Sequence, residues 1–165
     1  VQVKIPIPDK RRTQMLRSRS PLFALAALTS ILASAPLAAQ AAGQRTPVVG
    51  EGQRISPTLS PGIRVGNLLW ASGQLGTSPT DTTIAGQTQR SLENLDKVFK
   101  AAGTTLAAGA TKCTVFLTDV KDFAGMNAVY SKFFPTNPPA RSTVVVAALV
   151  VAGGKVEIEC QGVVP

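Results

Sequence analysis

The segment Thr143-Val-Val-Val-Ala-Ala-Leu-Val150 carries no charge and no alternation of apolar and polar residues. A strand with one wet face alternates, so a run like this belongs in a sheet covered on both sides. The rest of the chain supplies cover for only one side. Ile84, Leu92, Leu95, Val98, Phe99 and Ala102 recur at helical spacing over Thr83 to Ala102, and Gly103 follows as a stop. A second helical stripe, Phe123, Met126, Val129, Tyr130, Phe133 and Phe134, runs over Lys121 to Phe134. Asp119 or Asp122 can cap it, and Pro135, Pro138 and Pro139 end it. Two helices cover one face of a sheet, so the other face needs something else. A neighbouring copy of the chain is the simplest cover, and an oligomer is expected.

The strands around these helices are short. Ile63 to Ser72 reads as two strands joined at Gly66-Asn67, a two-residue hairpin signal. Thr111 to Thr118 reads as a third strand. Ser142 to Leu149 and Lys155 to Val163 finish the chain, with Ala152-Gly153-Gly154 as the turn between them. The order is ββαβαββ. The expected fold is α+β: a single mixed β-sheet with two helices on one face.

Charge divides the chain unevenly. Residues 1 to 45 are net +6, and residues 46 to 165 only +2. The basic character therefore belongs to the N-terminal segment, and the remaining basic residues are scattered among acids. No Gly-rich phosphate loop occurs, so nucleic acid is not an expected partner. From Ser20 to Gln44 no residue is charged. Met15-Leu-Arg-Ser-Arg-Ser precedes this stretch, Leu22 to Leu32 is strongly apolar, and Ala39-Gln40-Ala41 has the small-x-small pattern of a cleavage site. That order is a secretory signal over residues 15–41, starting at Met15 and cleaved near Ala41. The apolar part is about half of the roughly 20 residues a membrane span needs, so stable membrane insertion is not expected. Residues 1–14 read as upstream read-through, 42–53 as a flexible lead-in, and 54–165 as the folded domain. A periplasmic or secreted protein follows from this reading. Export allows Cys113 and Cys160 to pair. Both fall on expected strands, but strand order is not legible, and the pairing stays open.

The chain has no histidine. That removes Ser-His-Asp and Cys-His nucleophile systems and any His-ligated zinc site. The two cysteines lack the spacing of a metal cage or a dithiol motif. Three positions remain. Arg141 stands at a strand start behind Pro138-Pro139-Ala140, where a guanidinium can fork onto a carboxylate or simply lie on a wet rim. Glu157 lies in Lys155-Val-Glu-Ile-Glu-Cys160, whose alternation sets both glutamates opposite Val156, Ile158 and Cys160. If the apolar set faces the helices, the glutamates face the side assigned to a neighbouring copy. Asn127 is a polar residue on the second helix and reads equally well as a surface amide.

Six segments in order resemble one family. They are Ser60-Pro-Gly-Ile-Arg-Val-Gly-Asn-Leu-Leu-Trp-Ala-Ser-Gly-Gln74, Gln89-Arg-Ser-Leu-Glu-Asn-Leu95, Lys112-Cys-Thr-Val-Phe-Leu-Thr-Asp119, Asp122-Phe-Ala-Gly-Met-Asn-Ala-Val-Tyr130, Pro139-Ala-Arg-Ser-Thr-Val144 and Val156-Glu-Ile-Glu159. Together they look like the RidA/YjgF family of reactive-intermediate deaminases. The resemblance implies a chorismate-mutase-like homotrimer with active sites in the clefts between subunits. It also implies hydrolysis of enamine and imine forms of amino acids to 2-oxo acids and ammonia, the 2-iminobutanoate/2-iminopropanoate deaminase type of reaction, with no metal and no organic cofactor. By the matched motifs Arg141 would clamp the substrate carboxylate and Glu157 would position and activate the attacking water. Asn127, Ser72 and Gly73 would line the pocket, with Thr143 beside them.

Two positions depart from the family pattern. A tyrosine usually precedes the serine of the first segment, and here that place is Leu59. A cysteine often stands where this chain has Thr143. Leu59 motivates an alternative, a non-catalytic trimer of the same family that binds small carboxylates or proteins. Family members have also been described as ribonucleases. The residues past the signal lack the paired histidines or metal-binding carboxylates that RNA cleavage usually uses.

Overall fold

The computed structural model describes residues 43–165. The signal segment, the residues before it and Ala42 lie outside the described residues. Six strands form a single mixed sheet: β1 (Thr46–Val48), β2 (Gly62–Val65), β3 (Leu68–Leu75), β4 (Ala110–Leu117), β5 (Ala140–Val145) and β6 (Val156–Val163). Three helices accompany them: α1 (Ile84–Ala101), the four-residue α2 (Leu106–Gly109) and α3 (Phe123–Phe133). The strand order is β1-β2-β3-β6-β4-β5. Only β4 and β5 run parallel, and every other neighbouring pair is antiparallel. Among the described residues no helix is long and apolar enough to cross a membrane.

Local chemistry accounts for most boundaries. Gly66 has φ +59, which a tight β2–β3 turn requires and which glycine adopts without strain. Thr83 caps α1 by accepting from the Gly86 amide at 3.1 Å. Asp81 accepts from the amide and hydroxyl of Thr83, and these bonds hold its carboxyl down at about 2. Leu92, Leu95, Val98 and Phe99 of α1 are fully buried. They pack with Leu69, Val115, Leu117, Met126, Val156 and Ile158 into one core. Gln87, also buried, donates to Gly153 O at 2.9 Å and accepts from the Lys155 amide at 2.8 Å. The loop entering β6 is thereby pinned to α1.

Four expectations change. The segment read as a flexible lead-in supplies edge strand β1, paired with β2. Val48 is buried, and the Gln53 side chain bonds to Gln74 Oε1, Asn94 O and the Gly50 amide. A three-residue strand containing Pro47 shows no periodicity, and Pro is tolerated there because the strand is at the edge. The second helix is split: Val120–Asp122 is a 3-10 turn capped by Asp119, which accepts from the Lys121 amide, and α3 starts after it. Asp122 instead pairs with Lys155 at 3.1 Å. The fifth strand ends at Val145 rather than Leu149, where β4 also ends, and the Val146 amide bonds to Leu117 O. Finally, β5 and β6 are not a hairpin. They flank β4 on opposite sides, and the loop between them crosses over that strand's end.

Cys113 of β4 and Cys160 of β6 are directly opposite each other, with Cα atoms 4.1 Å apart, and are joined as a disulfide. Both are buried on the helical side of the sheet. The other side is bare of helices among the described residues. Leu68, Trp70, Val144 and Val163 are exposed there, each with more than two-fifths of its surface open.

Candidate active site

Sheet register decides where the chemistry sits. Arg141 pairs with Cys113, and Thr143 with Val115, so both side chains lie on the helical side. Glu157 pairs with Phe116 of β4 and Leu75 of β3, out of phase with buried Val156 and Ile158, so its carboxylate lies on the bare side. A single chain thus carries the guanidinium and the carboxylate on opposite faces of the same sheet.

The helical-side half is a cleft of about 420 Å³ lined by Asn127, Tyr130, Ser131, Phe134, Pro138, Pro139 and Arg141. Residues Asn127, Tyr130, Ser131 and Phe134 share one face at the end of α3, three and four apart. Pro138 and Pro139 bring the chain back to β5 and set Arg141 opposite that face. The guanidinium carbon lies 4.6 Å from the Tyr130 ring centroid and 6.0 Å from that of Phe123. Among the described residues no carboxylate lies within ion-pair distance of Arg141. Thr143 Oγ1, two residues along the same face, is buried and without a hydrogen-bond partner.

The bare-side half centres on Glu157. Its carboxyl is pushed above the ordinary carboxylate range, first by burial and second by the nearby charge of Glu159. The β3 strand is irregular beside it: the register slips between Ala71 and Gln74, leaving Ser72 and Gly73 in a bulge. A Cβ on Gly73 would overlap Glu157 Oε1, so only glycine lets the carboxylate lie against this backbone. Ser72 donates its hydroxyl to Ser60 O at 2.7 Å, and its amide donates to Pro61 O at 2.9 Å. These bonds fasten Ser60 and Pro61, which follow the Ser56–Leu59 turn, to β3, and Leu59 is exposed. No group of three His, Cys, Asp or Glu side chains able to hold a metal ion occurs among the described residues.

All the residues singled out from sequence fall into these two groups: Asn127, Arg141 and Thr143 in one, Ser72, Gly73 and Glu157 in the other. Tyr130 also lines the cleft, although its helical spacing marks it only as a core residue. Its spacing of three from Asn127 and its place in the Pro-bounded end of the helix were the available signals.

The family model described as Endoribonuclease L-PSP matches residues 53–164. This chain belongs to the RidA/YjgF family. A protein from Arabidopsis thaliana named Reactive Intermediate Deaminase A, chloroplastic, is 39% identical over 106 residues, covering 61% of this chain and 56% of that protein. A Bos taurus protein named 2-iminobutanoate/2-iminopropanoate deaminase is 37% identical over 105 residues, covering 61% of this chain and 75% of that one. The crystal structure of the E. coli YjgF gene product superimposes with a TM-score of 0.64 at 32% identity, over 72% of this chain and 98% of that chain. The chain thus spans little more than half of the plant relative and most of the other two.

Proposed function

We propose that this protein is an exported deaminase that hydrolyses enamine and imine forms of amino acids to 2-oxo acids and ammonia, working as a homotrimer. The observation that carries the reading is the placement of Arg141, with no carboxylate partner among the described residues, and a part-buried Glu157 on opposite faces of one sheet. Neither half is a site alone. Closing copies around the bare faces would bring Glu157 of one protomer to Arg141 of the next, and the exposed Leu68, Trp70, Val144 and Val163 give that contact an apolar area to bury.

The chemistry follows from the two groups. Arg141 takes the substrate carboxylate in a two-point grip and fixes the iminium carbon in the cleft. An enamine first gains a proton at carbon from Glu157. Glu157 as carboxylate then takes a proton from a water while the water oxygen bonds to the iminium carbon and the C=N pair moves to nitrogen. The proton returns to nitrogen, the C–N bond breaks as the C=O bond forms, the hydroxyl proton passes to the Glu157 carboxylate, and ammonia leaves with Glu157 again in its acid form. A carboxyl pushed upward by burial suits this exchange, and histidine is not required.

The export part rests on the order of residues 15–41, and the paired Cys113 and Cys160 agree with an oxidising compartment. Leu59 favours a second reading, a trimer that binds small carboxylates or proteins without turnover, because an alkyl group stands where the family offers a hydroxyl. The deciding experiment couples the processed protein to an amino-acid oxidase that generates 2-iminobutanoate. Ammonia release faster than spontaneous hydrolysis, lost in Arg141→Ala, supports the enzyme. Binding of 2-oxobutanoate without acceleration selects the second reading. Mass spectrometry of the periplasmic fraction, finding an N-terminus near Ala42, tests export.

A further inference from the structure

Arg141 is held by groups that are not acids. The Tyr130 ring lies 4.6 Å from the guanidinium carbon, the Phe123 ring 6.0 Å, and Met126 Sδ is 4.0 Å from Nη1. A carboxylate would hold a guanidinium by its N–H edge and use the donors that a substrate needs. A ring attracts the same cation through its π face and leaves that edge free. We propose that Tyr130 is the positioning residue for Arg141, its ring replacing an acidic partner so that the guanidinium is oriented while no acid takes up its N–H donors, only the weak acceptor Met126 Sδ facing Nη1. This deepens the reading of Arg141 as the substrate clamp and rests on it.

The ring is itself fixed. Tyr130 is 5% exposed, and its centroid lies 4.7 Å from that of Phe134. Its hydroxyl is buried with no hydrogen-bond partner, so the ring rather than the oxygen is the part in use. Burial pushes that hydroxyl up to about 12, against the pull of Arg141. The platform therefore stays neutral and sets no charge against an incoming anion. Tyr130 Oη and Thr143 Oγ1 are neutral groups without partners, so the Arg141 guanidinium is the group here that can bind an anion strongly.

The test varies the face of the ring and little else. Position 130 is made phenylalanine, pentafluorophenylalanine and leucine. The dissociation constant for 2-oxobutanoate is measured by calorimetry, KM and kcat with 2-iminobutanoate by the coupled assay, and the melting temperature alongside. Tyr130→Phe is expected to stay within about twofold of wild type, because the ring remains. Pentafluorophenylalanine keeps the shape but reverses the electrostatics of the face. It should weaken binding and raise KM by about 3- to 30-fold, with kcat changed by no more than about twofold. Leucine should do the same, and if it fails to fold the fluorinated variant decides alone. Equal binding by the phenylalanine and pentafluoro forms overturns the proposal. So does a loss in Tyr130→Phe as large as in the leucine variant, or a fall in kcat at constant KM. Wild type that binds 2-oxobutanoate without turnover removes the deaminase reading, while the binding series still judges Tyr130. Binding that Arg141→Ala leaves intact, or no binding at all, removes the positioning role.

Discussion

Gly73 and Glu157 make the case at the residue scale that a site can be tuned by where an atom is missing. The alternation Val156-Glu-Ile-Glu made the face of Glu157 legible in the sequence, because period two is all that the assignment needs. The bulge that lets Gly73 approach the carboxylate was not legible, since it depends on how β3 pairs with β6. The atom that a Gly73→Ala Cβ would displace is the end of a flexible side chain, so the fold can yield and the carboxylate moves instead. Gly73→Ala is therefore expected to lower kcat by about 10²-fold while leaving the thermal melt within a few degrees; the coupled assay and a melting curve on the same sample check it. Glu157→Gln separates the same two quantities with opposite signs. A carboxyl raised above its ordinary value binds its proton more tightly in the folded chain, so its ionisation opposes folding and stability falls as pH climbs through the carboxylate range. In an Arg141→Ala background, where no neighbouring guanidinium favours the carboxylate, the glutamine variant should melt with its Glu157 parent at pH 3 and above it at pH 7; in the otherwise unchanged chain it should turn over about 10²- to 10⁴-fold more slowly. A Glu157 parent more stable than the double variant at pH 7 would contradict the assignment of that raised carboxyl.

Among the elements, α1 and the β2–β3 hairpin followed from sequence because their causes are local: an apolar stripe, a threonine cap, a glycine turn. The insertion of β6 between β3 and β4 did not follow, because strands distant in sequence choose neighbours by packing rather than by turn chemistry. With that order unknown, the Cys113–Cys160 pairing could not be decided; with it known, the two residues share a register position. The bond joins β4, which carries β5 and Arg141 at its free edge, to β6, which carries Glu157. It also closes a loop of 47 residues containing α3 and the cleft. Closing such a loop restricts the unfolded chain, with a typical stabilisation of about 2–4 kcal/mol. The double variant Cys113→Ala/Cys160→Ala is expected to melt lower by about 10 °C, and wild type in reducing buffer should fall toward it. If reductant leaves the wild-type melt unchanged and free-thiol titration finds two thiols, the cross-link is absent in solution.

The whole molecule raises the question with which the sequence began, what covers the second sheet face. Of the unalternated run only Thr143, Val144 and Val145 lie in the sheet, and in a single chain Val144 stays exposed on the same face as Leu68, Trp70 and Val163. Face assignment adds something that exposure alone does not: a site using Arg141 and Glu157 cannot be built within one copy, because the sheet itself stands between them. This makes subunit complementation the sharpest test of architecture. Arg141→Ala lacks the clamp but keeps the carboxylate; Glu157→Gln keeps the clamp but lacks the carboxylate. In a ring of three where each site takes Arg141 from one copy and Glu157 from the next, every mixed trimer rebuilds one intact site. Random reassembly of equal amounts, by unfolding and refolding together, should restore about a quarter of wild-type activity from two inactive parents. Mixing without reassembly should restore none. If co-refolded trimers stay as inactive as their parents, the guanidinium and carboxylate do not serve one site across the interface.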